Sequence, residues 1–235
     1  TYGRGIFISE IEAFPPTIDL SIRSLENSSP PITKKGELTD LKAVIKNNGS
    51  QMIDTLFYSI SSNSGFTSHT KVINLNPRDS IEIIHSSIEI KDTGYNSIGF
   101  SITNTEDQDK SNNSSTSNVL ASYETNSNNA TIEENGLIAY DDNGGQGSWI
   151  YTDFEGEISE NLTITKDKIK VYKTNNYGPI YPNNERSYLL TPFYNLVEYE
   201  HPVISFNMAF ELEPDYDILN VQYSQDRGGS WKNLG

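Results

Sequence analysis

Between Ile18 and Ile102 the apolar residues fall on every second position, in run after run: Ile18, Leu20 and Ile22, then Leu41, Ala43 and Ile45, then Leu56, Tyr58 and Ile60, then Ile98, Phe100 and Ile102. Side chains alternate across a β-strand with period two, so each run offers one face to a core and the other to water. A helix would scatter the same residues around its circumference and bury none of them well. Further runs cover Thr70 to Leu75 and Ser80 to Ile90, and Asn47-Asn48-Gly49 is a strong turn signal. No stretch carries the 3.6-residue periodicity of an amphipathic helix. The pattern predicts an all-β protein.

With 235 residues the chain can build one large domain or two small ones, and its composition shifts favour two. Phe14-Pro15-Pro16-Thr17 is a stiff break, because Pro fixes its own φ and restricts the residue before it. Residues 124–130, Glu-Thr-Asn-Ser-Asn-Asn-Ala, lack apolar periodicity and read as a linker. The expected division is therefore residues 1–17, a terminal strand of an upstream domain with its linker; 18–123, an Ig-like sandwich of about seven strands; 124–130, a linker; and 131–235, a second β-domain. With so polar a linker the two units are expected to behave independently. The opening Thr1-Tyr2-Gly3-Arg4-Gly5-Ile6-Phe7 reads as mid-fold, so the chain is expected to be a piece of a longer secreted protein.

Acidic residues outnumber basic ones, 32 to 17, giving a formal charge of -15. Such a surface repels nucleic acid and anionic membranes, and no apolar run is long enough to insert into a bilayer. The absence of cysteine excludes a disulfide framework, a zinc-thiolate site and a thiol nucleophile. Abundant Asn, Ser, Thr and Tyr with 34% hydrophobic residues suits an exported, extracellular β-protein.

Candidate chemistry is sparse. Glu211, Glu213, Asp215 and Asp217 form the densest acidic set; Phe206, Met208, Phe210 and Leu212 alternate toward a core, which puts Glu211 and Glu213 on the other face. Oxygen-rich sets of this kind suit Ca²⁺, which takes about six to eight oxygen ligands, although a solvated acidic face fits the same residues. Asp141-Asp142-Asn143-Gly144-Gly145, with Asp153 and Glu155 downstream, is a weaker calcium candidate and equally an ordinary turn. Glu106, Asp107 and Asp109 allow the same two readings. The three histidines, His69, His85 and His201, stand far apart in sequence, outside any paired-His zinc pattern. Tyr and Trp, among them Trp149, Tyr151, Tyr172, Tyr177, Tyr181, Tyr194 and Tyr199, could stack on sugars or fill a core. In Ser224-Gln225-Asp226-Arg227-Gly228-Gly229-Ser230-Trp231 each residue suits a turn: Asp226 to accept backbone N–H groups, Gly228 and Gly229 to take positive φ, and Trp231 to pack beneath the loop. No residue is assigned a catalytic role.

Four resemblances extend this reading. Ser224 to Trp231 fits S-x-D-x-G-x-[ST]-W and resembles the Asp-box of sialidase-type repeats, which implies a structural hairpin away from chemistry. The strand ending Lys46-Asn47-Asn48-Gly49-Ser50, with the late loop Glu106 to Asn113, resembles CARDB-type and related cell-adhesion-like Ig modules over about residues 18–123. The order Ser187-Tyr188-Leu189-Leu190-Thr191-Pro192, then Pro202 to Glu211, then Asp217-Ile218-Leu219-Asn220-Val221-Gln222-Tyr223-Ser224 and the Trp231 turn resembles MAM-like jelly-roll domains of secreted bacterial peptidases. Such a domain continues with further strands, so residues 131–235 are expected to be incomplete, and the family's structural calcium would be matched best by Glu213 and Asp217. The first seven residues resemble the closing strand of a BNR or sortilin-type propeller. Together these resemble the C-terminal accessory region of a secreted Bacteroidetes-type protein.

The reading that follows is a non-catalytic extracellular spacer or adhesion region, positioning a catalytic or propeller domain and contacting protein or glycan surfaces. A carbohydrate-binding module of a secreted hydrolase is the first alternative, and part of a glycosidase or peptidase the second.

Overall fold

The computed structural model describes residues 16–125, 136–142, 144–145, 147–159, 162–174, 184, 186–197, 199–208, 210, 212–213 and 215–234, with backbone alone for 155–159 and 162–169. The strand expected near the N-terminus, together with Tyr177, Tyr181 and Glu211, lies outside these residues.

The strands run in chain order as β1 (Leu20–Asn27), β2 (Ile32–Lys34), β3 (Leu38–Asn47), β4 (Ile53–Ser62), β5 (Gly65–Leu75), β6 (Ser80–Glu89), β7 (Gly94–Ile102), β8 (Ser114–Ser122), β9 (Glu124–Thr125), β10 (Ile138–Asp141), β11 (Ile150–Ser159), β12 (Leu162–Lys173), β13 (Ser187–Leu190), β14 (Phe193–Tyr194), β15 (Gln222–Tyr223) and β16 (Lys232–Asn233). The only helical turn among the described residues is a 3-10 turn, Lys110–Asn112. The protein is all-β, as the alternation requires.

Two sheets face each other, β1-β3-β6 and β2-β8-β7-β4-β5. In immunoglobulin lettering these are ABE against C′CFG, with the first strand split so that β2 crosses over and pairs parallel to β8. The alternating residues meet between the sheets: Leu20, Leu41, Ala43, Ile45, Leu56, Tyr58, Ile60, Ile98, Phe100 and Ile102 form one buried cluster, and Ile18 and Ile22 pack at its rim. In place of a disulfide and a tryptophan, the centre holds Tyr58 of β4 stacked on Phe100 of β7, ring centroids 4.9 Å apart and nearly parallel.

Polar residues inside this sandwich close its corners. The Asn47-Asn48-Gly49 turn joins strands of opposite sheets, because Asn47 is buried and its Nδ2 donates to Gln51 O at 2.7 Å and Leu75 O at 3.1 Å. Asp107 lies at the sandwich end, where Oδ2 accepts from Leu20 N at 2.9 Å and Oδ1 from Asp109 N at 3.0 Å. Buried polar groups of this kind persist because each satisfies backbone that the strand ladders leave unpaired.

After residue 135 the described residues form two-stranded antiparallel ribbons, β10-β13, β11-β12 and β15-β16. The expected inward alternation of Phe206, Met208 and Phe210 is not found: they are 46%, 54% and 61% exposed, since no second sheet among the described residues covers them.

Candidate functional site

The C-terminal hairpin returns to the sandwich. Between β15 and β16, Asp226 organises the loop: Oδ1 accepts from Ser230 N at 2.8 Å and from Ser224 Oγ at 2.8 Å, and Oδ2 accepts from Ser230 Oγ at 2.6 Å. The Ser230 hydroxyl, followed by the Ser230 N–H and the Ser224 hydroxyl, stabilises the carboxylate and holds its pKa down to about 2. Positive φ falls on Arg227 and Gly228 rather than on Gly228 and Gly229. Gly228 is required twice over, for φ +85° and because a Cβ there would meet the Ile32 side chain at 3.0 Å. Trp231 corrects the expectation of a buried indole: it is 40% exposed. The loop leans on the sandwich through Arg227.

That contact is specific. Arg227 Nη1 donates to Glu37 Oε2 at 2.9 Å and Nη2 to Oε1 at 3.0 Å, a two-pronged pair, while the backbone N–H of Ile32 donates to Arg227 O at 2.9 Å. Burial alone would raise the Glu37 carboxyl, but hydrogen bonds from Thr33 Oγ1 and Lys34 N and the Arg227 guanidinium outweigh it and hold it below its ordinary value. The carbonyl of Arg227 thereby caps β2, the edge strand of the larger sheet.

The same edge takes two more contacts. Glu124 and Thr125, the first residues of the expected linker, pair as β9 with Phe193 and Tyr194 of β14, and Lys34 reaches Glu124 at 2.7 Å. Ile32 and Leu120 of the sandwich share a buried cluster with Ile138 and Leu190 of β10 and β13, flanked by Tyr95, Tyr140 and Phe193. Apolar surface from both halves is therefore buried together, which a polar linker does not reveal.

Beside this cluster three tyrosines assemble. Tyr140 stacks on Tyr188 at 4.8 Å and meets Tyr95 edge-on at 6.2 Å. Tyr188 donates to Asp142 Oδ1 at 2.8 Å, and Arg186 Nη1 stands 3.7 Å from Asp142 Oδ2. Burial first, then the neighbouring Tyr188 and Tyr95, push the Tyr140 hydroxyl up to about 12. The Asp142 bond, with burial added, raises Tyr188 as well. Sequence reading named Asp142 as a calcium candidate; here its carboxylate serves a tyrosine and an arginine.

Two further calcium candidates, Asp141 and Asp217, accept hydrogen bonds within their own turns. Asp141 Oδ1 accepts from Gly145 N at 2.8 Å, and Asp217 Oδ2 accepts from Glu213 N at 2.8 Å. Asp153 pairs with Lys170 at 3.0 Å. Asp217 meets Glu213 through the Glu213 backbone N–H rather than its carboxylate, and among the described residues no group of three or more His, Cys, Asp or Glu is placed to hold a metal ion. In the Glu106 to Asp109 loop, Asp109 accepts from Ser111 N and Oγ, and Asp107 accepts from Leu20 N of β1.

The histidines are where sequence spacing misled. His69 of β5 and His85 of β6, distant along the chain, have ring centroids 4.4 Å apart, and His69 stacks on Tyr58. Burial first, then His69, pull the His85 pKa below its ordinary value, against a smaller opposing pull from Asp40. His201 is exposed. The signal that could have found the pair is the alternation itself, which puts both residues on the inward faces of neighbouring runs.

No helix among the described residues is long and apolar enough to cross a membrane. No protein-family model matches the chain, and no curated protein matches it. Among solved structures it is similar to the CARDB domain of a Pyrococcus furiosus protein, described as a complex with di-metal ions: identity is 16%, the TM-score 0.38, and the match covers 46% of this chain and 96% of that one. The solution structure of that domain matches at TM-score 0.37, with 16% identity over 45% of this chain and 96% of the other. A Listeria innocua β-glucosidase in complex with isofagomine matches at TM-score 0.30 and 12% identity, over 45% of this chain and 16% of its own length.

Proposed function

We propose that this chain is a non-catalytic, extracellular accessory region whose Ig-like sandwich holds its neighbouring domains at a fixed spacing. The observation that carries the reading is the convergence on β2: the Arg227–Glu37 pair, the Arg227 carbonyl and the shared Ile32–Leu120–Ile138–Leu190 cluster tie the C-terminal half to one edge of the sandwich. A spacer transmits position only if its parts do not swing, and apolar burial with a two-pronged ion pair restrains swinging better than a polar linker. In this reading residues 131–235 belong to a MAM-like jelly roll. Small-angle scattering of the whole chain tests it. A single compact particle whose dimensions fluctuate more in Glu37→Gln supports the spacer; a wild-type chain scattering as two freely jointed bodies overturns it.

A second reading, glycan binding, rests on Tyr188, Asp142 and Arg186. An aromatic ring beside a carboxylate and a guanidinium offers a stacking face and bidentate partners for sugar hydroxyls. Retardation on polysaccharide affinity gels that disappears in Tyr188→Ala would favour it over the spacer.

A further inference from the structure

We propose that His69 and His85 form a two-imidazole site for a divalent transition-metal ion at the open lip of the sandwich. β5 is the edge of the larger sheet and β6 the edge of the smaller, so no ladder of hydrogen bonds joins them and the two rings meet across the gap between the sheets. Register explains the meeting. His69 lies opposite Tyr58, on the inward face shared with Leu56 and Ile60, and His85 continues the inward series Ile81, Ile83. Immediately after His85 the strand bulges: Ser87 takes φ +67° and its N–H donates to Asp40 Oδ1 at 3.0 Å, after which Ile88 and Ile90 return to the core. Bulges of this kind re-aim one side chain. What the strand delivers to the lip, where an aliphatic residue would continue the core, is an imidazole.

The rings are held in place before any ion arrives. Tyr58 stacks on His69 at 5.1 Å and meets His85 edge-on at 6.3 Å. His69 Nε2 bonds Thr67 Oγ1 at 2.9 Å, an outer contact that fixes the ring and turns Nδ1 into the ligand atom. The ring nitrogens of His85 have no hydrogen-bond partner among the described residues. Ring centroids 4.4 Å apart are a spacing that two imidazoles can keep while sharing a single ion at the bond length of about 2.0 to 2.1 Å that imidazole makes to zinc. Imidazole selects Cu²⁺, Ni²⁺ or Zn²⁺ over the oxygen-seeking Ca²⁺ and Mg²⁺, and water completes the shell at this half-exposed lip. The ion would clip β5 to β6, joining the two sheets at the side their hydrogen bonding leaves open.

The test titrates Cu²⁺ onto the whole chain by calorimetry and electron paramagnetic resonance, and Zn²⁺ by thermal melting. The chain has three histidines, so single replacements account for all imidazole binding. One ion per chain with two coordinated nitrogens is expected, with affinity reduced about tenfold or more in His69→Phe and in His85→Gln, unchanged in His201→Ala, and not competed by Ca²⁺. His69→Phe keeps an aromatic ring against Tyr58, so its circular dichroism and melting curve show whether the sandwich survives without the ligand atom. Binding that persists in both variants, that vanishes in His201→Ala, or that shows one coordinated nitrogen overturns the site.

Discussion

Arg227 and Glu37, 190 positions apart, form a two-pronged ion pair with both N···O distances at or below 3.0 Å. It joins the tip of a C-terminal turn to the loop between the second and third strands of the sandwich, beside the Arg227 carbonyl that caps the edge strand β2. Glu37→Gln and Arg227→Ala, taken singly and together, are expected to show a coupling of about 0.5 to 1 kcal/mol, since both side chains remain partly in water. Either single change should also speed amide exchange at Ile32, whose N–H donates to Arg227 O. An unchanged Ile32 rate would mean the turn does not depend on the pair.

Acid should loosen the same contact. The folded-state pKa of Glu37 is depressed, so its contribution is present above the ordinary carboxylate range and is lost as pH falls through the depressed value. Exchange at Ile32 should therefore accelerate on acidification while amides of the sandwich core, such as Ile45, keep their protection. Loss of both together would point to global acid unfolding.

Asp226→Ala should disrupt the C-terminal turn more than Trp231→Ala. Asp226 accepts three hydrogen bonds, from Ser224 and Ser230, whereas the indole is 40% exposed. The tryptophan change should cost about 1 kcal/mol or less, and amide exchange at Ser230 in the two variants ranks them. Tighter protection in the aspartate variant would return the indole to the keystone position.

Phe100→Ala should cost about 3 to 5 kcal/mol in denaturant unfolding, because the ring is fully buried against Tyr58. Val203→Ala, at a residue 87% exposed, should stay within about 0.5 kcal/mol. Equal costs would mean that Val203 has a partner in solution.

Tyrosine absorbance should reveal a late titration of Tyr140 at about 12, because burial opposes the phenolate. Folded stability should accordingly fall as pH rises past the ordinary tyrosine value, where the unfolded chain ionises first. In Asp142→Asn the Tyr188 hydroxyl should titrate earlier, having lost the carboxylate that its proton serves. If Glu213 and Asp217 share a calcium ion, the melting temperature should rise from EDTA to millimolar calcium, whereas coinciding melting curves would remove that site.

Period-two alternation alone determined the fold class and the sandwich core: residues such as Leu41, Ala43 and Ile45 must share a face in any strand, and burying that face is the main gain available to them. Local chemistry likewise determined the turn at Asp226, whose partners lie within four residues of it. Contacts between distant positions were beyond sequence. Nothing near Arg227 announces Glu37, the alternation turns His69 and His85 inward without saying that they meet, and the polar stretch after Ser122 conceals that Leu120 and Ile138 are buried together. Such pairs are decided by how two sheets stack and where a bulge turns a strand, and only the tertiary structure sets that geometry.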